Sequence, residues 1–259
     1  MRKALTKFIK NYVFNYQNTL MKTKKIKNYI WREPVVGYAF SGDQLFKELK
    51  TIVSPSHYLP TDILYDAKAV ISFFVPFDKS IIKKNAKEGE IEPSDSWHRA
   101  TQLTDELIIK LCNDLQKRFQ TATIKFRPVH ANNFDSKKLI SDWSHRHVAY
   151  IAGLGTFGIN NMLITNQGSA GRLGGVVTNI DIDPSPRPQY EYCIYKYNKK
   201  CLQCVSRCVN DSFYKSNNFY YCNKKKCYEQ VYIKNIKKAC GKCISNVPCS
   251  TTNPVRALL

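Results

Sequence analysis

The residues of this chain best suited to chemistry are its cysteines. Ten occur in 259 residues, and all but Cys112 fall between Cys193 and Cys249. Within that stretch run Cys201-Leu-Gln-Cys204-Val-Ser-Arg-Cys208 and Cys240-Gly-Lys-Cys243-Ile-Ser-Asn-Val-Pro-Cys249, with Cys193, Cys222 and Cys227 lying apart. Thiolates are soft ligands, and a pair two residues apart grips one metal centre from a tight turn. A zinc ribbon needs two such pairs, which Cys201/Cys204 and Cys240/Cys243 supply, but it leaves Cys193, Cys208, Cys227 and Cys249 idle. The third cysteine of C-x2-C-x3-C points instead to iron–sulfur chemistry. In bacterial two-cluster ferredoxins the cysteine after the x3 gap ligates the other cluster. Two [4Fe-4S] clusters take eight thiolates, and this segment holds enough. Two departures stand out: seven residues separate Cys193 from Cys201 in place of a first C-x2-C, and Val209 replaces the usual proline. Zinc and unligated core cysteines are the alternatives.

The composition, 43% hydrophobic and 23% charged, is that of a folded protein and excludes wholesale disorder. The net charge is +20 and is concentrated at the ends. Residues 1–32 carry 9 Lys/Arg and no acid, whereas residues 190–259 carry 13 basic and 3 acidic side chains. The stretch between is nearly neutral. Such an asymmetry suits a polyanionic partner or an anionic cofactor. No apolar run reaches membrane-span length, and Lys7 and Lys10 interrupt the early apolar stretch, so neither a membrane span nor a signal peptide is expected. The expected compartment is the cytoplasm, where reduced thiols favour metal over disulfides.

These ligands need a scaffold. Leu5, Phe8, Ile9, Tyr12 and Val13 keep helical spacing, so residues 1–32 read as a basic amphipathic helix or a solvated, frayed segment. From Pro34 the pattern is mixed α/β (α+β). Strands are expected at Val35–Phe40, Ala69–Val75, Thr123–Val129, Met162–Thr165 and Leu173–Ile180. Helices are expected at Gly42–Val53, Ser94–Phe119 and Lys137–Ala152. Cys112, beside Leu111 and Leu115 on the long helix, reads as a buried structural thiol. The proline-rich Asp183–Pro188 marks a domain boundary. Beyond it the chain is too poor in aliphatic residues to fold alone.

Ala152-Gly-Leu-Gly-Thr-Phe-Gly-Ile-Asn-Asn161 contains G-x-G-x-x-G, but it follows a helical stretch and enters a strand, the reverse of the dinucleotide-binding context. A tight turn, or a cofactor lying against exposed backbone, fits better. His145 and His147 sit about 200° apart on a helix, so they do not share a face.

The run Trp143-Ser-His-Arg-His-Val-Ala-Tyr-Ile-Ala-Gly-Leu-Gly-Thr-Phe-Gly-Ile-Asn160, then Met162-Leu-Ile-Thr165, Gly171-Arg-Leu-Gly174, Thr178 and the cysteine array, resembles the epoxyqueuosine reductase family and its short iron–sulfur relatives. The resemblance runs from Val35 to the C-terminus. It implies a cobalamin-binding α/β domain related to reductive dehalogenases at 33–188, preceded by the basic segment 1–32. A small two-cluster ferredoxin-like domain follows at 189–259. By motif, Cys193, Cys201, Cys204 and Cys249 would hold one [4Fe-4S] cluster; Cys208, Cys227, Cys240 and Cys243 would hold the other. Gly153, Gly155, Gly158 and Asn160 would lie along the cobalamin edge. Arg146 would meet a corrin amide or phosphate, or else form a surface salt bridge. The family's Gly-Lys-Asn is Gly158-Ile159-Asn160 here, and its acidic proton donor has no clean counterpart. Asp142 is the nearest acid and Asp135 the next.

Four functions are open on this reading. One is a reductase that takes single electrons from a low-potential donor through two clusters to cobalamin and reduces an epoxide in tRNA queuosine synthesis. The others are the same machinery acting on a small molecule, a non-catalytic electron carrier, and a zinc-dependent nucleic-acid module.

Overall fold

The structure, a computed structural model, describes residues 1–86, 92–129, 134–135, 137–229 and 238–259. The early apolar residues do form a helix, α1 (Arg2–Lys22), and it is not a frayed segment. It buries Leu5, Ile9, Val13, Gln17 and Leu20, a stripe at nearly four-residue spacing, while Lys3, Lys7 and Lys22 stay exposed. The Phe8 ring meets Phe119 edge-on at 5.3 Å, and the Tyr12 hydroxyl donates to Asp114 at 2.8 Å. The one polar group in the stripe is satisfied: Gln17 Oε1 accepts from the Ile30 and Trp31 amides at 2.7 and 2.8 Å.

The chain continues through β1 (Val35–Phe40), α2 (Gln44–Ile52), α3 (Pro60–Ile63), β2 (Ala69–Pro76), α4 (Lys79–Lys84), α5 (Asp95–Phe119), β3 (Phe126–Pro128), β4 (Phe134–Asp135) and β5 (Ile140–Ser141). Next come α6 (His145–Ile151), β6 (Gly155–Phe157), β7 (Leu163–Thr165) and β8 (Gly171–Thr178). The cysteine-rich end holds α7 (Ile194–Asn198), α8 (Gln203–Ser206), β9 (Phe213–Ser216), β10 (Phe219–Cys222) and α9 (Lys224–Cys227), with 3-10 turns at Lys242–Ile244 and Pro254–Leu258.

The chain divides into two compact units. Met1–Val75, Thr104–Leu154 and Arg172–Pro188 form the first; Pro76–Leu103, Gly155–Gly171 and Gln189–Leu259 form the second. The units therefore interleave in sequence, where the sequence reading drew contiguous segments meeting at Pro188. The physical reason is the shortage of aliphatic side chains after Pro188, which two earlier segments make good.

The first unit is built on a sheet of order β1-β2-β8-β3. β1 runs antiparallel to β2, from Val35 opposite Phe74 to Phe40 opposite Ala69, and β3 runs antiparallel to β8. Every residue of β2 is buried, Ser72 among otherwise apolar side chains, as in a strand covered on both faces. Ala39, Phe46, Leu49, Val70, Trp143, Val148, Ile151 and Val177 form one core cluster. In α5, Leu107, Leu111 and Leu115 are fully buried and so is Cys112, whose thiol donates to the Gly175 carbonyl at 3.5 Å. Burial pushes that thiol up to about 12, as befits an inert packing group.

Two local expectations are corrected. The helix expected over Lys137–Ala152 is only α6. Asp135 Oδ1 accepts from the Lys137 and Lys138 amides at 2.9 and 3.0 Å, an aspartate turn that competes with helix and leaves Ile140–Ser141 to pair with Phe134–Asp135. The stretch Gly153–Gly158 is not all loop, because Gly155–Phe157 pairs antiparallel with Leu163–Thr165.

Because α1 is a core helix, Ile9→Ala is expected to cost about 2–5 kcal/mol of stability. Lys7→Ala, on the exposed face, is expected to change it by no more than about 0.5 kcal/mol. Urea denaturation of the two variants checks this, and equal effects would mean the helix is not packed.

Candidate metal centre

In the second unit the expected first ligand set comes together. Cys193 caps α7, Cys204 lies in α8, and these two with Cys201 and Cys249 line one cavity. Gly158, Ile159, Asn160 and Ile164 form its other wall. Two of the residues expected at a cobalamin edge, Gly158 and Asn160, thus lie against this thiol set. The segment carrying Cys249 is clamped by the turn after β7: Ser169 donates its amide and its hydroxyl to the Cys249 carbonyl, both at 2.9 Å, and the hydroxyl lies 3.9 Å from Sγ. The Tyr192 amide donates to Thr156 Oγ1 at 2.8 Å, which fixes the approach to Cys193.

Cys208 and Cys227 lie close to Cys240, and Cys243 sits beside Cys240 and Cys227 and also beside Cys204 of the first set. Cys222 also lies near Cys243. The Cys240–Cys243 loop is held by residues the sequence reading did not single out. Asn85, fully buried, donates to the Cys240 carbonyl at 2.8 Å and to Ser245 Oγ at 3.0 Å, and accepts from the Ser94 amide at 2.9 Å. Trp97 Nε1 donates to the Ala239 carbonyl at 3.1 Å, and Asn160 Nδ2 donates to the Cys243 carbonyl at 3.2 Å. Nothing in the sequence flagged Asn85, since a lone asparagine after a short helix reads as a cap.

The donor chemistry of these two groups fits iron–sulfur clusters. Burial pushes the Cys249 thiol up to about 12 and raises Cys204, Cys227, Cys240 and Cys243, so these five favour the protonated form without a countercharge. Multivalent iron supplies the countercharge that such a buried set needs in order to ionise. Among the described residues no three His, Cys, Asp or Glu converge on a single metal ion; the first four thiols surround a cavity instead.

The first unit carries the remaining candidates. Asp142 is buried, 4% exposed, and its carbonyl accepts from the Tyr58 amide at 2.8 Å. Trp143 stacks on Phe46 on one side and on His57 on the other, with centroids 6.3 and 5.7 Å apart. The His57 ring spans two backbone groups, with Nδ1 2.8 Å from the Tyr58 carbonyl and Nε2 3.0 Å from the Ser144 amide. The amide must donate, so His57 is the neutral Nδ1–H tautomer. His147 Nδ1 lies 2.7 Å from Ser144 Oγ. Burial, then the Arg146 charge, push His147 down to about 4. Asp135 is exposed, and the Lys138 amide holds its carboxyl below the usual range, which is wrong for a proton donor.

The glycines are occupied by their own chain. Gly153 has φ of +75°, and a side chain there would strike the Pro186 carbonyl. A Cβ on Gly155 would enter the Ile164 carbonyl across the β6–β7 pair. Gly155→Val would therefore break this hairpin, so it does not isolate corrin binding from folding.

The fold so defined is the mixed α/β fold shared by epoxyqueuosine reductases and reductive dehalogenases. The epoxyqueuosine reductase of Bacillus subtilis is similar at TM-score 0.52 and 16% identity, over 92% of this chain and 66% of that one. An epoxyqueuosine reductase bound to an epoxyqueuosine-modified tRNA-Tyr stem loop gives the same values. A reductive dehalogenase described for B12-dependent dehalogenation gives TM-score 0.57 and 14% identity, over 86% of this chain and 30% of that one. The chain thus spans about two thirds of the length of the epoxyqueuosine reductases it matches. No protein-family model matches the chain, and no curated protein matches it in sequence. No helix among the described residues is long and apolar enough to cross a membrane.

Asn85→Ala is expected to lower stability by about 1–3 kcal/mol, because it leaves the Cys240 carbonyl buried without its donor. Thermal denaturation of the apo protein reads this, and an unchanged midpoint would show that the loop is held otherwise. A pH effect follows from His147. Its folded pKa lies below the unfolded value of about 6.5, so the unfolded chain binds the proton first. That contribution is present above pH ~6.5 and is lost as pH falls towards ~4. His147→Gln should therefore lose less stability than the parent between about pH 7.5 and about pH 5, measured by urea midpoints.

Proposed function

We propose that this chain is an iron–sulfur oxidoreductase that carries two [4Fe-4S] clusters and works as a reductase of the epoxyqueuosine reductase kind. The observation that carries the reading is the gathering of two cysteine sets in one compact unit of a chain with that fold. Cys193, Cys201, Cys204 and Cys249 are the ligands of one cluster; Cys208, Cys227, Cys240 and Cys243 are those of the other. Bound there, the clusters supply one-electron transfer at low potential, and a corrin supplies a strongly reducing centre.

The chain's own residues do the rest. Ser169, Asn85, Trp97 and Asn160 hold the ligand loops at their backbone groups, which fixes the thiols before metal arrives. Asp142 is the candidate proton donor to the leaving oxygen, buried beside neutral His57, and Arg146 the candidate contact to an anionic group. Gly158 and Asn160 wall the first cluster, and Gly153 and Gly155 shape the backbone rather than touching a corrin through open faces. The substrate class is an epoxide in tRNA, for which the exposed lysines of α1 and the basic C-terminal unit provide phosphate contacts. The site of action is the cytoplasm.

The closed faces of Gly153 and Gly155 favour a second reading, an electron carrier without corrin. Corrin absorbance after anaerobic loading separates it from the first.

Anaerobically reconstituted protein is expected to hold about eight irons with matching acid-labile sulfide. Cys201→Ser and Cys240→Ser should each lose about half, with different electron-paramagnetic-resonance signals surviving. Cys222→Ser should keep both clusters, whereas Cys227→Ser should not. Zinc without labile sulfide would overturn the assignment. Rescue of queuosine in a reductase-deficient host tests the substrate.

A further inference from the structure

The polar residue buried in the apolar stripe of α1 has a second end that the fold does not use. Gln17 is 4% exposed, and its Oε1 is taken by the Ile30 and Trp31 amides. An oxygen so engaged leaves Nε2 at the other tip of the carboxamide, with two N–H donors. Among the described residues neither donor has a partner. Gln17 lines a cavity of about 260 Å³ formed by α1 and residues 31–34. Its Oε1 faces the backbone at Ile30 and Trp31, so Nε2 is the end left for the cavity. Buried donors that open on a cavity need an acceptor there.

Lys10, Val13 and Phe14 line the same cavity from α1, and Trp31, Arg32 and Glu33 line it from the chain that follows. Val13 and Trp31 are buried, whereas the Phe14 ring is 57% exposed. The Lys10 ammonium meets Glu33 at 2.6 Å, an exposed pair that the anion of a ligand replaces at little cost. Apolar walls, an open aromatic ring, two cations and a buried donor suit a flat ring that carries a carbonyl acceptor and a negative charge. The volume falls just below the ~300–1,000 Å³ of sites for drug-sized ligands, which leaves room for a single ring system. The approach to it is basic. At about 100° per residue, Lys3, Lys7, Lys10 and Phe14 fall within about 60° of one another around α1, and the lysines follow one another about every 5 Å along its axis. Lys3 and Lys7 are exposed, and residues 1–32 hold no acid to oppose them. A line of cations that ends at an open aromatic ring matches a row of phosphates that ends in a base.

We propose that this cavity seats one unstacked nucleotide of a single-stranded RNA segment, its base on Phe14 with a carbonyl at Gln17 Nε2, and the neighbouring phosphates along Lys10, Lys7 and Lys3. The proposal rests on the reading of tRNA as the substrate class and goes beyond it, because it gives a base, and not the phosphates alone, a place on α1. A free mononucleotide carries the same ring, carbonyl and phosphate and is the other source of that chemistry.

The test uses full-length, iron-loaded protein and fluorescein-labelled hexauridylate and hexaadenylate, with binding read by anisotropy between about 50 and about 200 mM salt. Phe14→Ala is expected to weaken binding about tenfold and to leave the salt slope as it is, because a stacked base is lost and no phosphate contact is. Gln17→Glu keeps the oxygen that the Ile30 and Trp31 amides need and removes the donors, and it is expected to weaken binding by a similar factor. Lys3→Ala combined with Lys7→Ala is expected instead to flatten the log–log salt slope by about 1.4, about 0.7 for each contact on a single strand. A hexamer that carries 5-iodouridine is expected to cross-link on irradiation within residues 11–22 or 28–32, the tryptic peptides that hold Phe14 and Trp31. Parental affinity in both Phe14→Ala and Gln17→Glu, with iron content intact, overturns the cavity and leaves the tRNA reading standing. So does a parent protein that binds a tRNA transcript but neither hexamer. Uridine or adenosine monophosphate that competes at the affinity of the hexamers assigns the cavity to a free nucleotide and overturns the RNA segment. A parent protein that binds neither the hexamers nor the transcript overturns the tRNA reading and this proposal together.

Discussion

The structure depends on how a cysteine-rich, aliphatic-poor segment is kept folded. Among the described residues after Pro188, nothing resembles the fully buried strand β2 or the leucine ridge of α5. Its core is thin, made of Tyr192, Tyr195, Cys193 and Cys204 against Ile159 and Ile164. Backbone hydrogen bonds to groups from elsewhere do much of the holding. Asn85 and Trp97 grip the Cys240 loop, Ser169 grips Cys249, and Thr156 grips Tyr192. Each of these satisfies a backbone group that a ligand loop, by its irregularity, cannot pair with itself.

The same economy appears at Ser144 in the first unit. Its amide supplies a proton to His57 Nε2 and its hydroxyl meets His147 Nδ1. Burial lowers the pKa of both imidazoles, and this one residue orients both rings.

Much of this was legible in the sequence, for identifiable reasons. The strands Val35–Phe40 and Ala69–Val75 and the long helix to Phe119 were readable because their periodicity is strong. The cavity lined by Cys193, Cys201, Cys204 and Cys249 brings together four thiols that the family resemblance, not their spacing alone, had grouped. The acid–base surroundings were not legible. His57 lies far from Asp142 in sequence, and its place beside Trp143 comes from tertiary packing. Asp135 misled the helix boundary because a single side chain capturing two amides outweighs weak helical periodicity. The glycine block looked like a cofactor cradle, yet Gly155 is there because two strands approach too closely for a Cβ. A string of letters does not distinguish a backbone approached by a ligand from one approached by its own chain.

The interleaving of the second unit also bears on modularity. Asn85 and Cys240 are 155 residues apart in the chain, yet share a hydrogen bond. Residues 189–259 are therefore not a portable cassette that could be cut out or grafted onto another protein, because Asn85, Trp97, Thr156 and Ser169 would be left behind. On the ribosome, Asn85 and Trp97 emerge long before Cys240, so the loop that they hold stays open until the chain beyond Ser245 has been made.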